Sequence, residues 1–175
     1  MYLNSKIHFT EGIFAMDRAE AAAKEWARER PELPMLPVET VGRLLDAAAR
    51  VIRDHMNPLL KEAGLNVGEF DVLTPLRRAG EPHMLSPTQL YESAMITSGG
   101  MTSRLDRLER AGLVERRPDP NDRRGKQIAL TTGGKRAIDD LIGPMVALEE
   151  RLISVLTPAE QETLNALLKK LLTGL

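Results

Sequence analysis

Between Val38 and Ala63, Leu44, Leu45, Ala48, Val51, Ile52, Met56, Leu59 and Leu60 recur three and four residues apart. That spacing lines one face of an α-helix and predicts a long helix here, with a kink at Pro58. Upstream, Asp17 and Glu20 have the spacing of a capping box. They predict an alanine-rich helix from Arg18 to about Arg30, which carries the single tryptophan, Trp26. Pro31, Pro34 and Pro37 read as its end and as a stiff linker. Downstream, Phe70, Leu73 and Leu76 predict a helix through "VGEFDVLTPLRRAG".

The next stretch is clearly punctuated. "SPTQ" at 86–89 sets Ser86 at an N-cap, Pro87 at the first helical position and Gln89 where it bonds back. That helix is expected to end near Met95. A second helix should begin at Thr97 or Ser98 and stop at Gly112. "LVERR" and "QIALT" then read as two short strands around the turn-rich "PDPNDRRGK" of residues 118–126. A helix from Thr132 to about Leu156 follows. "TPAE" at 157–160 repeats the cap-plus-proline signature and opens a last helix with Leu164, Leu167, Leu168, Leu171, Leu172 and Leu175 in a stripe too apolar for a lone terminal helix.

The order of elements predicts a mainly α chain with a small β-hairpin wing, a winged helix-turn-helix flanked by long terminal dimerisation helices. Residues 1–15 show no periodicity and read as a disordered leader. Residues 16–37 are an added N-terminal helix and linker, 38–64 with 132–175 the helical dimerisation region, and 65–131 the winged helix-turn-helix.

Composition narrows the classes. Hydrophobic residues at 42% and charged residues at 28% suit a globular protein. The absence of cysteine excludes disulfides and thiolate chemistry, and the three histidines have no metal-ligand spacing. No signal peptide and no membrane-length apolar run is visible, which points to a cytoplasmic protein without membrane contact. No nucleophile–base arrangement suggests an enzyme, and no cofactor or metal is expected.

The formal net charge of −1 hides a local excess. Thr97–Ile128 carries eight Lys/Arg against five Asp/Glu, while the remainder is acidic, the footprint of a basic element on an acidic body. Duplex DNA is the partner this predicts. Ser98, Thr102 and Ser103 offer hydroxyl groups at the N-terminal end of the second short helix, and Gly99 and Gly100 would let its first turn approach closely. Ser86 and Thr88 at the start of the preceding helix, Arg104 and Arg107 on the recognition helix, and Arg123, Arg124 and Lys126 in the wing complete the candidate DNA contacts. Asp119 and Asp122 are read as shaping the wing loop.

The run "LSPTQLYESAMITSGGMTSRLDRLERAGLVERRPDPNDRRGKQIALT" resembles the DNA-binding core of the MarR family of bacterial transcription regulators. The Asp-x-x-Asp-Arg-Arg wing at 119–124 and Leu130-Thr131 are its specific features. The resemblance implies a homodimer with interlocked terminal helices, acting as a repressor on a near-palindromic operator. A narrower resemblance, to the urate-responsive branch, rests on Trp26, Asp71, Arg104 and Arg116 within "EFDVL", "TSRLDRL" and "VERR". It implies that a small anionic aromatic effector stacks on the indole, is held by guanidinium groups and disturbs Asp71. Three alternatives stay open: a regulator of this type responding to a phenolic or other ligand, one responding to none, and a winged-helix protein-interaction module.

Overall fold

The computed structural model describes residues 17–94, 100–119 and 125–175. These form two compact units, divided between Ala49 and Arg50. The expected leader lies outside the described residues.

The first unit holds α1 (Arg18–Glu29) and nearly all of α2 (Met35–Arg50). Asp17 caps α1 by accepting from the Glu20 backbone N–H at 2.8 Å, and its other oxygen takes Arg43 of α2 at 2.7 Å. These two donors hold the Asp17 carboxyl below the usual carboxylate range, Arg43 contributing most. The helices meet through small residues. Ala19 is buried, and a Cβ built on Gly42 would stand 2.9 Å from the Ala19 methyl. The linker is shorter than expected, because α2 starts at Met35 and Pro37 belongs to it. In the first turn a proline's missing N–H has no intrahelical acceptor to lose.

The second unit opens with a π-helical segment (Val51–Met56), followed by α3 (Asn57–Glu62). Just ahead of Pro58, where a kink is expected, Asn57 N–H reaches back five residues to the Ile52 carbonyl. A capping box of Asn66 and Glu69 opens α4 (Val67–Arg78). Then come β1 (Met84–Leu85), α5 (Pro87–Ser93), α6 (Met101–Arg110), β2 (Val114–Pro118), β3 (Lys126–Leu130), α7 (Thr132–Ile153) and α8 (Pro158–Leu172).

The wing differs from the expected hairpin in having a third strand, giving an antiparallel sheet of order β1-β3-β2. Val114 pairs with Leu130, Arg116 with Ile128 and Pro118 with Lys126, while Met84 and Leu85 pair with Ala129 and Ile128. Two residues are too few to show alternation in a sequence, so β1 could not be read there.

The core lies where α4, α5, α6, the sheet and α7 meet. Leu73, Leu76, Leu90, Leu108, Val114, Ile128, Ile138 and Met145 are all nearly inaccessible to solvent. Burying one such aliphatic side chain is worth roughly 1.5–3 kcal/mol. The α8 helix contributes no buried residue, and Leu167, Leu171 and Leu172 stand exposed along it. Among the described residues no helix is long and apolar enough to cross a membrane.

Candidate nucleic-acid interface and effector cavity

α5 and α6 form the helix-turn-helix, and each start is chemically specified. Ser86 caps α5 in a reciprocal box with Gln89: its hydroxyl accepts the Gln89 N–H at 3.2 Å, and Gln89 Oε1 accepts the Ser86 N–H at 2.9 Å. The Ser86 hydroxyl can still donate its own proton outward. Thr88 is exposed in the same first turn.

The described part of α6 begins at Met101, with Gly100 as N-cap at φ +87°. Gly100 thus stands at the N-cap rather than inside the first turn, with a left-handed backbone that a side chain would strain. Thr102 and Ser103 are exposed in the first turn, and Ser103 donates to the Gly100 carbonyl at 2.9 Å. Leu105 and Leu108 bury the opposite face. Ser98 and Gly99 lie outside the described residues, as do Asp122, Arg123 and Arg124.

The arginines of this region are largely spoken for inside the chain. Arg107 pairs with Glu69 of α4 at 3.0 Å, and Glu69 is almost fully buried. Arg116 of β2 reaches back to α6, where its guanidinium takes Asp106 at 2.5 Å and also Glu109. Its backbone N–H donates to Glu109 at 3.3 Å. The Asp106 hydrogen bond, followed by the two negative charges, raises the Arg116 pKa further. Arg104 folds across α4: its Nε would lie 2.6 Å from a Cβ on Gly68, and its Nη1 is buried with no hydrogen-bond partner among the described residues. Lys126, by contrast, is exposed at the wing base with no ion pair among the described residues. Asp119 accepts the Gln127 side-chain amide at 3.1 Å across that base.

Of the four residues assigned to an effector, Trp26 belongs to α1 in the first unit and is 54% exposed. Asp71, Arg104 and Arg116 belong to the second unit. Asp71 is buried and lines a cavity of about 390 Å³ between α4 and α7. Met56, Val67, Phe70, Ile138 and Ile142 give it apolar walls, and Thr74, Arg77, Arg78, Asp139 and Glu149 add polar groups. Arg77 and Asp139 close an ion pair there at 2.6 Å. Neither Arg104 nor Arg116 lines this cavity.

Sequence reasoning missed Gly68, Glu69, Asp106 and Glu109. The capping-box pair Asn66–Glu69 was a visible signal for Glu69, and the three-residue spacing of Asp106 and Glu109 was one for a shared cation. Nothing local marked Gly68.

Comparison with known proteins agrees with the geometry. A profile of the MarR family matches residues 63–125. The regulator PecS of Dickeya dadantii is 36% identical over 145 residues, covering 83% of this chain and 87% of PecS. The structure of a single-residue mutant of Escherichia coli MarR bound to operator DNA superposes with a TM-score of 0.66 at 32% identity, covering 84% of this chain and 97% of that one. A MarR family regulator from Streptomyces coelicolor, also bound to DNA, gives a TM-score of 0.69 at 27% identity, covering 79% and 88%. These relatives are transcription regulators, not enzymes.

Proposed function

Because the chain belongs to the MarR family of DNA-binding transcription regulators, we propose that it acts as a homodimeric repressor, released from a near-palindromic operator by a small anionic aromatic compound. The observation that carries the DNA-binding part is the outward-facing Thr102 and Ser103 at the start of α6, next to a three-stranded wing. Short hydroxyl groups at that end of a recognition helix suit base edges and phosphates. The leucine face of α8 supports the homodimer, since an exposed apolar stripe of this size marks an association surface.

Urate is the foremost effector candidate, on the resemblance carried by Trp26, Asp71, Arg104 and Arg116. Support comes from Asp71, a buried carboxylate in an apolar-walled cavity large enough for one flat ring system. An anion arriving beside it would repel Asp71 and so strain the α4 helix that braces α6. A phenolic ligand is the second reading, favoured by the lining itself. Its three carboxylates, Asp71, Asp139 and Glu149, outnumber Arg77 and Arg78, which suits a weakly charged guest. Titrations with urate, xanthine and phenol, read by Trp26 emission and by release of bound DNA, test both. The expected result is release by urate at lower concentration than by phenol. No release by any of the three overturns the effector proposal and leaves DNA binding standing.

A further inference from the structure

We propose that Gly68 is a positioning residue that stows the Arg104 guanidinium away from DNA. The inference rests on the DNA-binding reading of α6 and on no effector. Gly68 is the second residue of α4, and α4 runs for twelve residues with ordinary helical geometry there. Its lack of a side chain is therefore not required by its backbone conformation. What it provides is room: a Cβ at this point would lie 2.6 Å from Arg104 Nε, 2.8 Å from Cζ and 3.1 Å from Nη2. The guanidinium thus occupies the space that any other residue would fill.

The stowed position offers the charge little in return. It lies at the first turn of α4, where the helix dipole is positive, and Nη1 is buried without a hydrogen-bond partner among the described residues. Glu69, the nearest acidic residue in that turn, is engaged with Arg107 and the Asn66 N–H. Among the described residues no ion pair holds Arg104, and the bare Gly68 backbone supplies the room it occupies. Stowage leaves Thr102 and Ser103 as the exposed side chains of the first turn, so that this end of α6 presents neutral hydrogen-bonding groups. A guanidinium freed at this end of the helix would reach the flanking phosphates, contacts that carry no sequence information. Gly68 thereby holds down sequence-independent binding.

Gly68→Ala is a mild probe, because alanine favours the helix more than glycine does and the displaced group is the end of a flexible side chain. Binding to a long mixed-sequence duplex is measured across a salt series for wild type, G68A, R104Q and G68A/R104Q. One added phosphate contact steepens the log–log slope by about one. The expected pattern is a steeper slope and several-fold tighter binding for G68A, and the same slope in the double variant as in R104Q, so that the gain from G68A disappears when Arg104 is gone. Modification of arginines by phenylglyoxal, mapped by mass spectrometry without DNA, should show Arg104 protected in wild type and several-fold more reactive in G68A. An unchanged slope and unchanged protection in G68A, or a steeper slope that persists in G68A/R104Q relative to R104Q, overturns the proposal. Wild-type protein that fails to bind the duplex counts against the DNA-binding reading, and the modification experiment then judges the slot by itself.

Discussion

Helices α7 and α8 follow one another in the chain and carry similar leucine-rich stripes, yet they end up in opposite environments. α7 buries Ile138, Leu141, Met145 and Leu148, whereas α8 buries nothing and leaves Leu167 60% exposed. The same split runs through the charges. Arg107 and Arg116 find carboxylates within the chain, while Lys126 faces solvent without one among the described residues. Periodicity reports that a face needs covering; it does not report by which molecule. Groups satisfied inside the chain set the fold, and the unsatisfied ones mark where a second copy and a nucleic acid would sit.

The contrast can be broken most forcefully at α8. Leu167→Glu with Leu171→Glu should leave helix content near that of wild type, convert the protein to monomer in sedimentation, and weaken operator binding by about two orders of magnitude or more as the second half-site contact is lost. Leu73→Ala, on the covered side of the comparison, should instead cost about 2–5 kcal/mol in chemical denaturation and leave self-association intact in the folded fraction. If both variants lowered stability alike without dissociating the protein, the α8 face would have to be reassigned as intrachain core.

For the charges, Arg123→Ala with Arg124→Ala should flatten the salt dependence of DNA binding by about two, leaving the fold unchanged. Asp106→Asn with Glu109→Gln tests the satisfied side. Arg116 is partly exposed, so the loss in denaturation should stay within about 1 kcal/mol. The smallest effect is expected in the first unit. The Asp17 carboxyl is held low by Arg43, so the stability it adds is present above its unfolded pKa and disappears as pH falls through the lowered folded value. Asn caps a helix about as well as Asp. Asp17→Asn should therefore remove that acid-side slope from a stability-versus-pH curve while keeping α1 helical.

Much of this architecture could be read from residue patterns because helix starts are local chemistry. The Ser86–Gln89 and Thr157–Glu160 boxes occur where their spacing puts them. Pro37 misled because a proline in a first turn and a proline in a linker look alike in sequence. The π-helical register at 51–56 leaves the apolar spacing nearly unchanged, and β1 is defined only by its partner β3. For the candidate site, residue types were legible and directions were not. Arg104 turns toward Gly68, thirty-six positions away, and Arg116 turns toward two carboxylates on α6. Those outcomes depend on which backbone approaches which, and no local pattern encodes that.

At the foot of α7, Thr131 caps the helix, and its hydroxyl also reaches the carbonyls of Gly112 and Leu113. Gly134 lies so close to the Leu113 carbonyl that a methyl group there would overlap it. The helix and the wing are thus welded, with no slack at the joint. Twenty-two residues of helix make a lever about 33 Å long. A tilt of about 5° at its far end would sweep the wing through about 3 Å. Any shift in how two copies clasp each other would reach the base of the wing through this joint.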